Sequence, residues 1–221
     1  ALAEIGITVG EKGVTVGNVT NLKSLTLDGT KSHITNLNGI SELIVLQELI
    51  LKNLTIPNLD GIESCNMLKQ VYFINSKLTD SNGYEKLGTV LDLQKLFLKF
   101  DRNFSEADSN GQIEKLSLGL SNATNLKKLE YFGIFGTEEL INTRNEFSYN
   151  GTNGKYSYSS NVENNVTDIS SLDKVAKNIK SSIKVIYMNN NRISNIEGLK
   201  NFSSIEELDI MNNRSLINLT G

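Results

Sequence analysis

The stretch that decides the fold is "IKVIYMNNNRISNIEGLKNFSSIEELDIMNN", Ile183 to Asn213. Counting Ile183 as position 1, large apolar residues fall at 4, 6, 11, 14, 17 and 20: Ile186, Met188, Ile193, Ile196, Leu199 and Phe202. Asparagine falls at 9, as Asn191. Ile205, Leu208, Ile210 and Asn213 restart the same count 22 residues later. A pattern that copies itself at a period of 20–50 residues marks a solenoid, in which each unit is too small to bury its own apolar face.

Working outward, the frame L-x-x-L-x-L at positions 1, 4 and 6 begins at Leu22, Leu46, Leu68, Leu93, Leu126, Ile183 and Ile205, with steps of 24, 22, 25, 33, 57 and 22 residues. A second marker supports the register. A glycine followed by a large residue precedes the next start by seven residues at Gly39-Ile40, Gly61-Ile62, Gly119-Leu120 and Gly198-Leu199. Gly83-Tyr84 fits with three extra residues before Leu93. "IEKLSLGL" from Ile113 imitates a start but lies only 13 residues before Leu126, too few for a full unit, so Ile113 to Leu118 reads as a return limb.

These offsets, the L-x-x-L-x-L-x-x-N-x-I frame and the G-[IL] connection resemble leucine-rich repeats, in particular the 22-residue repeats of bacterial internalins. The opening "ALAEIG" and "GVTVGNVTNLKSLTLDG" are similar to the cap and first turn of internalin domains. The resemblance implies a cap over residues 1–21 and a repeat domain of about seven units over 22–221. It further implies an α/β solenoid, a horseshoe whose concave face is a parallel β-sheet with short helical, 3-10 or extended return limbs. It also implies a secreted or surface-attached bacterial module that binds a host or cell-surface protein, with roles in adhesion and virulence.

Positions 4 and 6 share one face of a strand, and positions 5 and 7 point the other way. The concave side is therefore expected to carry Thr26, Ile50, Tyr72, Phe97, Glu130, Tyr187 and Asp209 at position 5. At position 7 stand Asp28, Lys52, Ile74, Lys99, Phe132, Asn189 and Met211. Ile50, Tyr72, Ile74, Phe97, Lys99, Phe100, Phe132 and Tyr187 are the candidate partner-binding residues, with Lys69, Lys95, Lys127, Lys128 and Lys184 along one rim. Exposed aromatics with a charged rim suit a protein-binding hot spot. The competing reading is that the rings only brace the sheet by cross-strand pairing, or lie beneath the large insertion.

Two insertions interrupt the series. "DRNFSEADSNG" (Asp101 to Gly111) reads as a polar, solvated loop. Residues 134–165 include "NEFSYNGTNGKYSYSS", where Phe147 and Tyr149, then Tyr156 and Tyr158, alternate with polar residues around Asn-Gly turns. This is an expected β-hairpin, either a projecting arm or a flap packed back on the solenoid.

Composition narrows the function. The 221 residues carry a formal charge of −3, which gives no reason to expect nucleic acid. No run of eighteen apolar residues is present, so no membrane insertion is expected. Cys65, the sole cysteine, allows no internal disulfide and reads as a small buried hydrophobe. His33, the sole histidine, has no metal-spaced neighbours, and no phosphate loop or nucleophile motif occurs. A monomer without catalytic activity or cofactor is expected, with a protein as its ligand. The alternative is an intracellular repeat scaffold of the kind that steers protein phosphatases. A start at Ala1 without methionine is compatible with a removed leader, and an end part-way through a return limb at Gly221 with a longer parent chain.

Overall fold

The structure, a computed structural model, describes residues 21–31, 33–100, 104–135 and 165–219. The expected cap at 1–21, apart from its last residue, lies outside the described residues. So do Asp101–Asn103 and the hairpin with Phe147, Tyr149, Tyr156 and Tyr158.

Nine strands are present among the described residues: β1 (Ser24–Asp28), β2 (Glu48–Lys52), β3 (Thr55–Ile56), β4 (Gln70–Ile74), β5 (Lys77–Leu78), β6 (Lys95–Lys99), β7 (Tyr131–Phe135), β8 (Val185–Tyr187) and β9 (Glu207–Asp209). Seven of them form one parallel sheet in the order β1-β2-β4-β6-β7-β8-β9, one strand per repeat, and β3 pairs with β5 in a small second sheet. The chain is thus an α/β leucine-rich-repeat solenoid. Its register is direct: Leu25, Leu49, Val71 and Leu96 line up across four strands, as do Leu27, Leu51, Phe73 and Leu98. All eight enter one continuous core, along with Ile186 and Met188. Each fully buried side chain of this size contributes roughly 1.5–3 kcal/mol, which a stack of repeats can accumulate without disulfides.

The turns out of β2, β4, β8 and β9 share a feature one residue before position 9. Asn53, Asn75, Asn190 and Asn212, all at position 8, adopt left-handed backbone with φ of 53°, 49°, 57° and 57°. Asparagine tolerates that conformation better than other side chains with a Cβ. One residue later, at position 9, side chains bond the backbone of neighbouring repeats. Asn191 Nδ2 donates to the Ile134 and Met188 carbonyls at 2.7 and 3.0 Å. Asn213 Nδ2 donates to the Met188 and Ile210 carbonyls at 2.7 and 2.8 Å, while its Oδ1 accepts from the Ile193 N–H at 3.2 Å. Ser76 fills the same place with a shorter arm. Its hydroxyl accepts from the Leu54 N–H at 3.0 Å and shares its proton between the Leu51 and Ile74 carbonyls. These groups satisfy backbone atoms that the bend removes from the sheet.

Return limbs are mostly 3-10 turns, at Ile40–Glu42, Ile62–Ser64, Glu85–Thr89, Ser170–Lys174 and Glu197–Leu199. Gly39 and Gly61, with φ of 90° and 99°, aim Ile40 and Ile62 inward. The exceptions are a single α-helical turn at Lys177–Lys180 and the longer α1, Glu106–Gly119, which corrects the reading of residues 101–111 as a loop. The Ser105 hydroxyl caps it by accepting from the Asp108 N–H at 3.0 Å, and Glu106 and Asp108 complement its first turn. Gln112 on α1 then closes the small sheet. Its amide bonds both the N–H and the C=O of Leu78 at 2.9 and 3.1 Å, as the next strand would, and also accepts from the Tyr84 hydroxyl at 2.8 Å.

The fifth repeat starts at Leu129 instead of Leu126. β7 pairs Leu96 with Phe132 and Leu98 with Ile134, so position 4 is Phe132 and position 6 is Ile134. Leu126 stays buried as well, which is why the other frame looked sound. With Leu129 as the start, the distance from Gly119 is ten residues, the same as from Gly83 to Leu93.

Candidate functional site

Register fixes three rows across the concave side. Position 3 reads Ser24, Glu48, Gln70, Lys95, Tyr131, Val185 and Glu207; position 5 reads Thr26, Ile50, Tyr72, Phe97, Gly133, Tyr187 and Asp209. Position 7 carries Asp28, Lys52, Ile74, Lys99 and Phe135 over β1 to β7.

Six of the eight expected residues lie on this side: Ile50, Tyr72, Ile74, Phe97, Lys99 and Tyr187. They are not bare, which corrects the expectation of an exposed aromatic wall. Tyr72 is 6% exposed, Lys99 3% and Phe97 0%, and Ile50, Tyr72, Ile74, Phe97, Phe135 and Tyr187 form a second apolar cluster separate from the main core. The rings explain part of this. Tyr72 and Phe97 stack with centroids 5.4 Å apart, and Phe97 and Phe135 meet at 5.6 Å and 49°. Gly133 sits between them, where a Cβ would come within 2.6 Å of Phe97 Cδ1 and 2.9 Å of Phe135 Cε1. The absent side chain is what lets the two rings close over β7.

The other two residues belong to the interior. Phe132 turns inward because the fifth repeat begins three residues late, and it joins the main core. Phe100 stands at position 8, where the chain bends away from the sheet. It turns inward, fully buried, with its ring 5.3 Å from that of Phe104.

Accessibility survives along position 3. Glu48, Gln70, Lys95, Tyr131, Val185 and Glu207 are all partly accessible. Tyr131 and Val185 are paired in register and pack against the second cluster. Lys95 Nζ lies 5.2 Å from the Tyr131 ring centroid, a cation–π approach. Burial pushes the Lys95 ammonium below its usual range, and Glu48 offsets part of that. The Tyr72 hydroxyl donates to Gln70 Oε1 at 2.7 Å, fixing the amide on this row. Tyr131 and Phe135 were missed as concave residues because of the three-residue slip. The signal that could have found them is the alternative frame Leu129-x-x-Phe132-x-Ile134.

Among the described residues, two of the five expected rim lysines are in ion pairs: Lys128 reaches Asp92 at 2.5 Å and Lys184 reaches Glu130 at 3.6 Å. Such exposed pairs contribute little stability. Cys65 is buried, its thiol donating to the Ile40 carbonyl at 3.4 Å, and burial pushes its pKa up to about 11, with Glu63 adding to the shift. Among the described residues, no group of three or more His, Cys, Asp or Glu side chains is arranged to hold a metal ion, and no helix is long and apolar enough to cross a membrane.

No protein-family model matches the chain, and no curated protein matches it. Solved structures similar to it include an internalin (inlF) from Listeria monocytogenes, with a TM-score of 0.40 at 19% identity over 100% of this chain and 73% of that one. An internalin C2 from the same species has a TM-score of 0.40 at 18% identity, over 94% of this chain and 84% of that one. A leucine-rich-repeat protein of Leptospira interrogans has a TM-score of 0.38 at 17% identity, over 97% and 58%. The fold assignment rests on the strand register and burial given above.

Proposed function

We propose that this chain is a non-catalytic protein-recognition module whose partner lies along the position-3 row of the concave wall. Gln70, Lys95, Tyr131 and Val185 make the contact, and Ile50, Tyr72, Ile74, Phe97, Lys99 and Tyr187 form the platform behind them. The observation that carries this reading is the half-buried Tyr131–Val185 pair, backed by an apolar cluster and flanked by a lysine. A tyrosine held rigid from below and open above loses little entropy on binding, and tyrosine is enriched among hot-spot residues.

The test is a photo-crosslinker placed at Gln70, with a convex-side control at Glu114. Capture of one protein from the Gln70 position alone, and a loss of affinity of tenfold or more for Tyr131→Ala, are the expected results. Capture only from Glu114, or unchanged affinity in Tyr131→Ala, would reject the proposal.

The burial of Phe97 and Phe135 favours a second reading, in which the concave cluster is a structural core and contributes stability alone. In that case Tyr131→Ala shifts the unfolding midpoint and leaves the affinity alone. Membership of the 22-residue internalin-type class, and with it a secreted or cell-surface bacterial setting and a role in adhesion, is supported by the repeat grammar around Ile183–Asn213. The alternative setting is an intracellular regulatory scaffold. A coding sequence with a signal peptide upstream of Ala1 would decide for the first, and its absence for the second.

A further inference from the structure

We propose that Asn38 is a site of spontaneous backbone-assisted deamidation, favoured by the fold over the other described Asn-Gly pairs, and that its isoaspartyl product loosens the packing of Ile40 on Cys65. The sequence contains five Asn-Gly pairs, of which Asn38-Gly39, Asn82-Gly83 and Asn110-Gly111 are among the described residues. In the reaction the Gly nitrogen loses its proton and attacks the Asn Cγ. The new N–Cγ bond forms as the Cγ–Nδ2 bond breaks, and ammonia leaves with the proton. Water then opens the resulting succinimide at either carbonyl, giving aspartate or isoaspartate. The attack needs an unengaged N–H, a carboxamide free to turn, and room for the ring.

Gly111 has as much open space as Gly39, so the Asn110 pair is separated by its hydrogen bonds and the Asn82 pair by both hydrogen bonds and crowding. Asn110 is inside α1, where the helix engages the Gly111 N–H. Its carboxamide is also held, donating to Thr167 Oγ1 at 2.8 Å and accepting from the Thr167 and Asp168 N–H groups. Asn82 donates to Glu85 at 3.3 Å. Gly83 is buried, its N–H donates to the Asp80 carbonyl at 3.2 Å, and Leu78 and Pro57 lie within 3.0 Å of where a Cβ would stand.

Asn38 and Gly39 are both exposed. Among the described residues neither the Asn38 carboxamide nor the Gly39 N–H makes a hydrogen bond. Apart from Asn38, Gly39 and Ile40 themselves, no heavy atom lies within 4 Å of a Cβ built on Gly39. All three requirements are met here, and at neither of the other two pairs.

The consequence follows from what the turn does. Left-handed Gly39, at φ 90°, starts the 3-10 turn that buries Ile40, and the Ile40 carbonyl accepts from the Cys65 thiol. Isoaspartate adds a carbon to the main chain immediately before that glycine. The added length displaces the turn, whereas ordinary aspartate leaves the backbone path unchanged.

The experiment incubates the native chain at mildly alkaline pH and body temperature, with a denatured sample in parallel. Peptide mapping follows the one-dalton gain at each pair, and an alkylating reagent follows Cys65. We expect Asn38 to convert severalfold faster than Asn82 and Asn110 in the native chain, and the three rates to converge once it is unfolded. The aged native chain should alkylate at Cys65 faster than fresh protein, whereas the Asn38→Asp variant should not. Equal native rates, or a preference for Asn38 that persists in denaturant, would overturn the structural cause. Unchanged Cys65 alkylation in isoaspartyl-rich protein would overturn the coupling to Ile40.

Discussion

Replacing Phe97 by alanine separates a sealed concave cluster from an open one. The ring is wholly buried, 5.4 Å from Tyr72 and 5.6 Å from Phe135, and lies over Gly133. Truncating a buried phenylalanine costs roughly 3–5 kcal/mol, since transfer free energy is lost and a cavity remains. An ordinary surface ring would cost within about 0.5 kcal/mol. Urea unfolding followed by circular dichroism reads the difference as a lower midpoint at unchanged slope. Gly133→Ala sharpens the test. Alone it destabilises, because the added methyl stands 2.6 Å from Phe97 Cδ1. In the Phe97→Ala background that clash is gone and the methyl fills part of the void, so the two costs should fall short of additivity by about 0.5–3 kcal/mol. A loss in the surface range for Phe97→Ala, or strict additivity with Gly133→Ala, would refute the reasoning.

Two further predictions concern the turns. Asn213→Ala leaves the Ile210 carbonyl and the Ile193 N–H without this partner, while the Met188 carbonyl keeps Asn191 Nδ2, at about 1–3 kcal/mol for each group left unsatisfied that water cannot reach. Asn213→Ser should recover part of this, because Ser76 serves in the same place, and hydrogen exchange at the Ile193 amide should report the change directly. At the other end of the sheet, burial tends to raise the Asp28 pKa. Hydrogen bonds from the Thr30 N–H and hydroxyl and from Asn53, with Lys52 nearby, outweigh it and hold the carboxyl below its ordinary value. A depressed folded-state pKa means stability that is present above the unfolded pKa of about 3.9 and lost as pH falls through the folded value. Asp28→Asn should therefore flatten the acid limb of a stability–pH profile, and an unchanged limb would show that Asp28 does not contribute.

Six of the seven strands of the large sheet were legible because positions 4 and 6 carry a period of two that only a strand explains, as at Leu49 and Leu51 or Val71 and Phe73. The fifth failed for a physical reason. Leu126-x-x-Leu129-x-Tyr131 and Leu129-x-x-Phe132-x-Ile134 satisfy the frame equally well, and Leu126 is buried in either case. Alternation also reports which side of a sheet a residue takes, not whether that side is covered. Tyr72 and Phe97 were therefore assigned to the correct face with the wrong exposure. The helix α1 was hidden by its polar composition, although Ser105-Glu106-Ala107-Asp108 carries the cap spacing that announces it. The asparagines at position 8 stand outside the repeat frame of positions 1, 4, 6 and 9. Their role lies in left-handed backbone at Asn53, Asn75, Asn190 and Asn212, which no hydrophobic pattern encodes.

The register of β7 governs both the concave surface and the proposed contact row, and single-cysteine labelling across that strand tests it most directly. With Cys65 buried and unreactive, Tyr131→Cys should label under native conditions, while Phe132→Cys and Ile134→Cys should label only on unfolding. Rapid native labelling at position 132 with protection at 131 would restore the frame that starts at Leu126 and remove Tyr131 from the binding face.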